Sequence, residues 1–118
     1  MSDSLPTYYK EERPWGFWER FVDNEKVTVK LLHLLPGKRI SLQRHQMRTE
    51  FWRIIKGSGT VTVGDETRDI GTDEEVLIPV GTLHRLEAGP EGLSWLEIMQ
   101  GEYDENDNER VEDDFGRA

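Results

Sequence analysis

Short runs of β-branched, aromatic and aliphatic residues alternate with turn-forming residues along the chain. Three such runs are residues 26–35 (KVTVKLLHLL), 51–56 (FWRIIK) and 60–63 (TVTV). Clusters of glycine, proline and aspartate separate the runs at intervals of roughly eight to twelve residues, the spacing typical of an all-β sandwich or barrel. Because no long window has helical periodicity, we predict an all-β fold.

The length and composition predict one domain. The 118 residues, of which 35% are hydrophobic, suffice for one core and are too few for two ordinary domains. We expect a single domain over residues 1–118, with its core in residues 25–100, an N-terminal strand or arm in residues 1–24 and an acidic strap in residues 101–118. Tyr103, Val111 and Phe115 interrupt the acidic run, which favours an ordered strap over a disordered tail.

The formal charge of −9, from 24 acidic and 15 basic residues, makes nucleic acid an unexpected partner. The basic residues are concentrated in the first half of the chain, which suits a small anionic ligand in a local basic pocket. No window has the ~20 apolar residues of a membrane span, and the first residues lack the layout of a signal peptide. We therefore expect no membrane association and a cytoplasmic location.

Four side chains have the types and spacing of ligands for one metal ion. Gln43 and His45 would share a face of a strand, and Glu50 would return on the next strand after a hairpin loop. His84 supplies a fourth ligand. Because the chain has no cysteine, only nitrogen and oxygen ligands are available. This set suits one divalent ion such as zinc, manganese, nickel, cobalt or iron. The alternative is that each histidine is a structural residue.

Two motifs contain these ligands. The first reads Gly-x5-Gln-x-His-x4-Glu-x6-Gly from residue 37 to residue 57, and the second has a glycine at 71, the strand EEVLI and the segment PVGTLH, which ends in His84. They resemble the two motifs of the cupin family, with glutamine at the first histidine position and Ala88 where asparagine is frequent. The resemblance implies a double-stranded β-helix, or jelly roll barrel, with the metal ligands facing inward. His33 belongs to neither motif and is predicted to be a strand or surface residue.

Four segments extend the resemblance over most of the chain: ERPWGFWERF, KVTVKLLHLLPGKRISLQRH, IMQGEY and RVEDDFGR. They resemble the C-terminal isomerase domain of type II mannose-6-phosphate isomerases, enzymes often fused to a mannose-1-phosphate guanylyltransferase. The resemblance implies a stand-alone domain that forms a homodimer and interconverts mannose 6-phosphate and fructose 6-phosphate. A bound metal would then polarise the substrate oxygens.

The chain departs from this family beside the first motif. The family usually reads Gln-x-His-His-x-Arg-x-Glu-His-Trp, whereas this chain reads QRHQMRTEFW, with Gln46 and Phe51 in place of two histidines. By strand alternation, Phe51 should face away from the metal ligands. The two missing imidazoles favour an alternative function, a metal-containing cupin that binds a sugar or sugar phosphate without catalysis. An iron-dependent dioxygenase would fit two histidines and one carboxylate, but Gln43 and the terminal segments argue against it.

Other polar and aromatic residues are candidates for catalysis and substrate binding. Arg48 matches the family's arginine and would contact substrate oxygens or phosphate, unless it is a solvated loop residue. Lys30 would bind phosphate or, if desolvated, act as a base, unless it faces outward. Trp52 has the strand parity of the glutamate ligand; burial preference favours the core for it, and packing on a sugar ring in the cavity is the alternative. Arg85 and Arg117 are further phosphate candidates.

Overall fold

The chain is built from antiparallel strands, in agreement with the predicted all-β fold. The computed structural model describes residues 4–118, and within them there are nine strands and no helix. The strands are β1 (Tyr9–Arg13), β2 (Gly16–Arg20), β3 (Val27–Leu34), β4 (Leu42–Arg44), β5 (Arg48–Val63), β6 (Glu66–Gly71), β7 (Glu75–Ile78), β8 (His84–Gly101) and β9 (Glu109–Glu112). It follows that no described residue belongs to a helix capable of spanning a membrane.

The strands form two sheets. Strands β1 and β2 pair with each other in the N-terminal arm, of which residues 1–3 lie outside the described part of the chain. The other seven form one sheet in the order β6-β5-β8-β4-β9, with β3 also paired to β8 and β7 to β5. The acidic C-terminal strap therefore joins this sheet, because β9 pairs with β4.

Two hydrophobic clusters lie on opposite faces of the long strands. Trp52 and Ile54 of β5 pack in the inner cluster with Trp95 of β8. Phe51 belongs to the outer cluster with Ile98, since successive side chains of a strand point to opposite faces. The fold thus has one inner face, and the candidate ligand Glu50 shares the parity of that face.

Strands β5 and β8 remain paired over most of their length, but their register is irregular at one point where the two backbones approach closely. The β5 register shifts between Gly57 and Gly59. Gly57 has a φ of +89°, and a Cβ at this position would lie 2.2 Å from the carbonyl oxygen of Gly92. Only glycine fits this close approach, because any side chain would meet both backbone strain and a clash.

Gly57→Ala should lower the free energy of unfolding by ~2 kcal/mol or more, through left-handed strain and a clash with backbone. Gly37→Ala is the matched control, because Gly37 also has a positive φ, +70°, but a Cβ added there would have no atom within 4 Å. The control should cost only ~1 kcal/mol. Urea denaturation followed by tryptophan fluorescence measures both, and equal losses would contradict the close approach.

Candidate metal centre

His45, Glu50 and His84 form a buried cluster at one end of the inner face. One ligand atom from each lies within 4.8 Å of the others. His45 Nε2 is 3.1 Å from Glu50 Oε2, and His84 Nε2 is 4.0 Å from Glu50 Oε1. The three donors come from different segments: the loop after β4, strand β5 and the first residue of β8. Their convergence is therefore a product of the sheet pairing.

Backbone carbonyls orient both imidazoles. His45 Nδ1 lies 2.8 Å from the carbonyl oxygen of Asp107, and His84 Nδ1 lies 2.9 Å from that of Thr82. Because a carbonyl oxygen only accepts, each Nδ1 is the donor, and each ring turns its Nε2 towards Glu50. His84 Nε2 is buried and has no hydrogen-bond partner. This is the arrangement in which histidine binds a metal through Nε2.

The charges of the cluster also fit a metal ion. Burial alone would raise the pKa of Glu50, but the neighbouring His45 and His84 rings and the hydrogen bond from Arg48 outweigh burial and lower it to about 2. Burial lowers the pKa of His84. The carboxylate is thus ionised and the His84 ring neutral, the forms in which these groups coordinate a metal.

Gln43 faces the same site. It lies in β4 directly opposite His84 of β8, and residues directly opposite in an antiparallel pair share a face. Its side chain lines the same cavity as His45 and Glu50. One detail of the predicted hairpin was wrong: β4 ends at Arg44, so His45 follows the strand instead of lying in it. The nitrogen and oxygen donors present fit the predicted divalent ion.

A cavity of about 360 Å³ opens beside the cluster. This volume lies near the lower end of the ~300–1,000 Å³ typical of small-molecule pockets. Its ionisable lining, apart from His45, comprises Lys30, Arg48, Glu50, Glu97, Tyr103, Glu105, Arg110 and Arg117. A small polar molecule with an anionic group matches this lining better than an apolar one does.

Arg48 and Lys30, the two candidates for catalysis, both reach the cavity. Arg48 begins β5; its Nε donates to Glu50 Oε2 at 3.0 Å, its second terminal nitrogen donates to His45 Nε2 at 3.2 Å, and its first is buried without a partner. Lys30 Nζ donates to the Tyr103 hydroxyl at 2.5 Å. Arg48 therefore retains one N–H group for a molecule in the cavity.

Two of the other candidates do not line the cavity. Trp52 is only 1% exposed and donates its indole N–H to Glu50 Oε1 at 3.0 Å, so it packs in the core and cannot stack on a sugar. Arg85 donates to the carbonyl of Ile40 and to the carboxylate of Glu112 in the strap. Arg117 does line the cavity, but it forms hydrogen bonds to Asp113.

The structure adds cavity residues that the sequence did not identify. Glu97 lies in β8 directly opposite Lys30 of β3 and is buried. The pKa of Glu97 is raised to about 8, chiefly by burial and next by the charge of Glu50. The sequence offered one indication of this residue, because Glu97 is the only acidic residue in the mainly apolar run LSWLEIM. Tyr103 and Arg110 reach the cavity from the strap, and no local pattern indicates them.

The two positions that depart from the related isomerases lie outside the cavity lining. Gln46 is exposed, and its backbone N–H bonds to the Asp107 carboxylate at 2.8 Å. Phe51 is 1% exposed and packs in the outer cluster, on the face opposite Glu50, as alternation predicts. Neither replacement removes a group from the cavity.

Comparison with known proteins identifies relatives over almost the whole chain. A family model described as mannose-6-phosphate isomerase C-terminal matches residues 2–113. The mannose-1-phosphate guanylyltransferase ManC of Salmonella typhimurium is 36% identical over 108 residues, which are 90% of this chain and 22% of that protein. The chain thus spans less than a quarter of the length of this relative.

Solved structures match the fold. Oxalate decarboxylase from Bacillus subtilis superposes with a TM-score of 0.67 and 28% identity, covering 74% of this chain and 24% of that one. A protein with a double-stranded β-helix domain from Klebsiella pneumoniae has a TM-score of 0.61 and 18% identity, covering 68% and 71%. These likenesses confirm the predicted cupin fold.

His84→Ala should weaken the binding of zinc or manganese by more than ~100-fold, because loss of even an outer hydrogen-bond partner of a ligand costs ~10–100-fold. Isothermal titration calorimetry of the metal-free protein measures this. His33→Ala is the control, since His33 is an exposed histidine bonded to Ser94. Equal metal affinity in the two variants would exclude His84 as a ligand.

Proposed function

Since the chain belongs to the family of mannose-6-phosphate isomerase C-terminal domains, we propose that it interconverts mannose 6-phosphate and fructose 6-phosphate with one divalent metal ion. The observation that carries this proposal is the cluster of His45, Glu50 and His84, of which His45 and Glu50 line a cavity with basic side chains. These residues, with Gln43, would hold the ion.

The metal, when bound, would supply Lewis-acid polarisation of the carbonyl and hydroxyl oxygens of the open-chain sugar. Bacillus subtilis oxalate decarboxylase has Mn(II) centres, which supports manganese as one candidate beside zinc, nickel, cobalt and iron. All of these accept the mixed nitrogen and oxygen donors of the site.

Isomerisation needs a proton carrier next to the substrate. The C2 proton of the aldose moves to C1 and the O2 proton moves to O1, by way of an enediol. A carboxyl group within reach of both carbons suits the first transfer. We assign it to Glu97, because this residue lies in the cavity opposite Lys30, on the strand that also carries His84. Its ionised form, which the charge of Lys30 favours, would take the proton from C2 and return it to C1.

Lys30 and Arg48 would bind the substrate oxygens in this scheme. The Lys30 ammonium and the Arg48 guanidinium lie over the Tyr103 ring, at 4.7 and 4.9 Å from its centre. Both cations line the cavity next to Tyr103, where they would stabilise negative charge on the enediol oxygens. Arg48 also bonds to Glu50, so a substrate oxygen bound to Arg48 would lie near the metal ligands.

A metal-containing cupin that binds a sugar phosphate without catalysis is the second candidate. The glutamine and phenylalanine at positions 46 and 51 favoured it from sequence. The structure weakens that argument, because neither residue lines the cavity. The ionisable side chains that do line the cavity, Glu97 among them, support catalysis over binding alone.

Purified protein loaded with manganese, zinc, cobalt or nickel should convert mannose 6-phosphate to fructose 6-phosphate with at least one ion. His45→Ala and Glu50→Ala should lose this turnover, whereas His33→Ala should keep it. A coupled assay for fructose 6-phosphate measures the rate. The opposite result is a protein that binds metal stoichiometrically and mannose 6-phosphate saturably but shows no turnover with any ion. That result would refute the isomerase and favour the sugar-phosphate-binding protein.

Glu97→Gln should lower kcat by ~100-fold or more, the contribution typical of a positioned acid or base, while metal affinity stays within a few-fold. It should also slow the exchange of the C2 proton with deuterated water, followed by NMR. Glu87→Gln is the control, because Glu87 lies on the same strand but faces solvent. A normal exchange rate in the Glu97 variant would assign the proton transfer to another residue.

A further inference from the structure

We propose that Arg110, in the C-terminal strap, binds the phosphate group of the sugar phosphate. The identity of the ligand rests on the proposed function, whereas the assignment of the anion-binding residue rests on the geometry of the strap. Arg110 is one of four cationic side chains that line the cavity. Neither the metal site nor the proton transfer uses it.

Strand pairing directs the Arg110 side chain into the cavity. Arg110 of β9 is the partner of Gln43 in β4, so the two side chains share a face. Their neighbours Glu109 and Arg44 occupy the other face, where they form an ion pair at 2.5 Å. The same pairing that brings the strap onto the sheet therefore places a guanidinium next to a candidate metal ligand.

The other three cations in the cavity already have partners. Lys30 donates to Tyr103, and Arg117 binds Asp113. Arg48 binds Glu50 and His45 and keeps only its first terminal nitrogen unpartnered, beside the metal ligands. These bonds reduce what each can offer to a new anion.

Arg110 is available for an anion. Among residues 4–118 no ion pair or side-chain hydrogen bond to Arg110 occurs, and its Nε is buried without a partner. A buried guanidinium N–H without an acceptor is costly, and a bound oxygen would remove that cost. Asn108, two positions earlier, also lines the cavity and adds an amide donor.

The net charge of the chain and the guanidinium of Arg110 together favour a phosphate ester as the ligand. The chain has a formal charge of −9, so a dianionic ester needs a local cation to enter. A guanidinium presents two parallel N–H groups that match two oxygens of a phosphate, whereas a sugar hydroxyl uses only one. Arg110 would thus select the phosphate end of the substrate, while the metal ligands and Glu97 face the end that reacts.

Arg110→Gln should raise the dissociation constant of metal-loaded protein for mannose 6-phosphate by about tenfold to a hundredfold, the loss expected for a hydrogen bond to a charged group. The affinity for unphosphorylated mannose and for the metal should not change. Arg85→Gln is the matched control, because Arg85 bonds to Glu112 of the same strap but does not line the cavity. Calorimetry measures the dissociation constant of both variants. A loss of affinity in Arg110→Gln alone indicates a lost anion contact, whereas an equal loss in both indicates loosening of the strap.

A second measurement uses the wild-type protein and does not depend on how well a variant folds. The Nε–Hε NMR signal of Arg110 should shift on addition of mannose 6-phosphate or inorganic phosphate and not on addition of mannose. An unmoved signal, or equal affinities of wild type and Arg110→Gln, would overturn the assignment. So would a wild-type protein that binds neither phosphate compound.

The outcomes separate this inference from the proposed function. Wild-type turnover that is unaffected in Arg110→Gln would overturn the role of Arg110 and leave the isomerase intact. Binding of mannose 6-phosphate that depends on Arg110, without turnover, would support the phosphate site and refute the isomerase.

Discussion

The buried charge of Glu50 must be stabilised by neighbouring groups, and this requirement links the fold to the candidate site. An ionised carboxylate taken out of water is stable only when surrounding groups supply charge and hydrogen bonds. Arg48 and Trp52 donate to it, and two histidines lie beside it. A slip of one residue in β5 would turn Glu50 towards the outer cluster and Phe51 towards the cavity. The register of the long strands and the geometry of the metal centre are therefore one constraint.

The acidic strap completes the site as well as covering it. The Asp107 carboxylate accepts hydrogen bonds from the backbone N–H groups of Gln46 and Met47, at 2.8 and 2.9 Å, and its carbonyl fixes His45. Other strap acids pair with arginines of the first half of the chain, in the pairs Arg39–Asp114 and Arg44–Glu109. Each such exposed pair contributes little by itself. The uneven distribution of charge along the chain is thus explained by pairing in the fold.

The sequence predicted those parts of the site that depend on local spacing. The first-motif ligands lie within eight residues of one another, and alternation correctly placed Phe51 on the outer face. Alternation gives the face of a side chain but not its depth, which is why Trp52 was a candidate for the cavity wall as well as for the core, where it lies. His45 and Asp107 are 62 residues apart, and only the pairing of β4 with β9 brings such segments together. Arg110 and Glu97 could not be assigned for the same reason.

The departure from the related isomerases at position 51 has a physical explanation in the outer cluster. Phe51 packs against Phe21 there, with ring centres 5.5 Å apart, and is almost completely buried. A histidine enclosed by these apolar side chains would need a hydrogen-bond partner or would lose solvation without compensation. Phenylalanine instead adds apolar burial beneath the N-terminal arm. The substitution therefore lies where the arm packs on the outer face, and the residues that line the inner cavity do not include it.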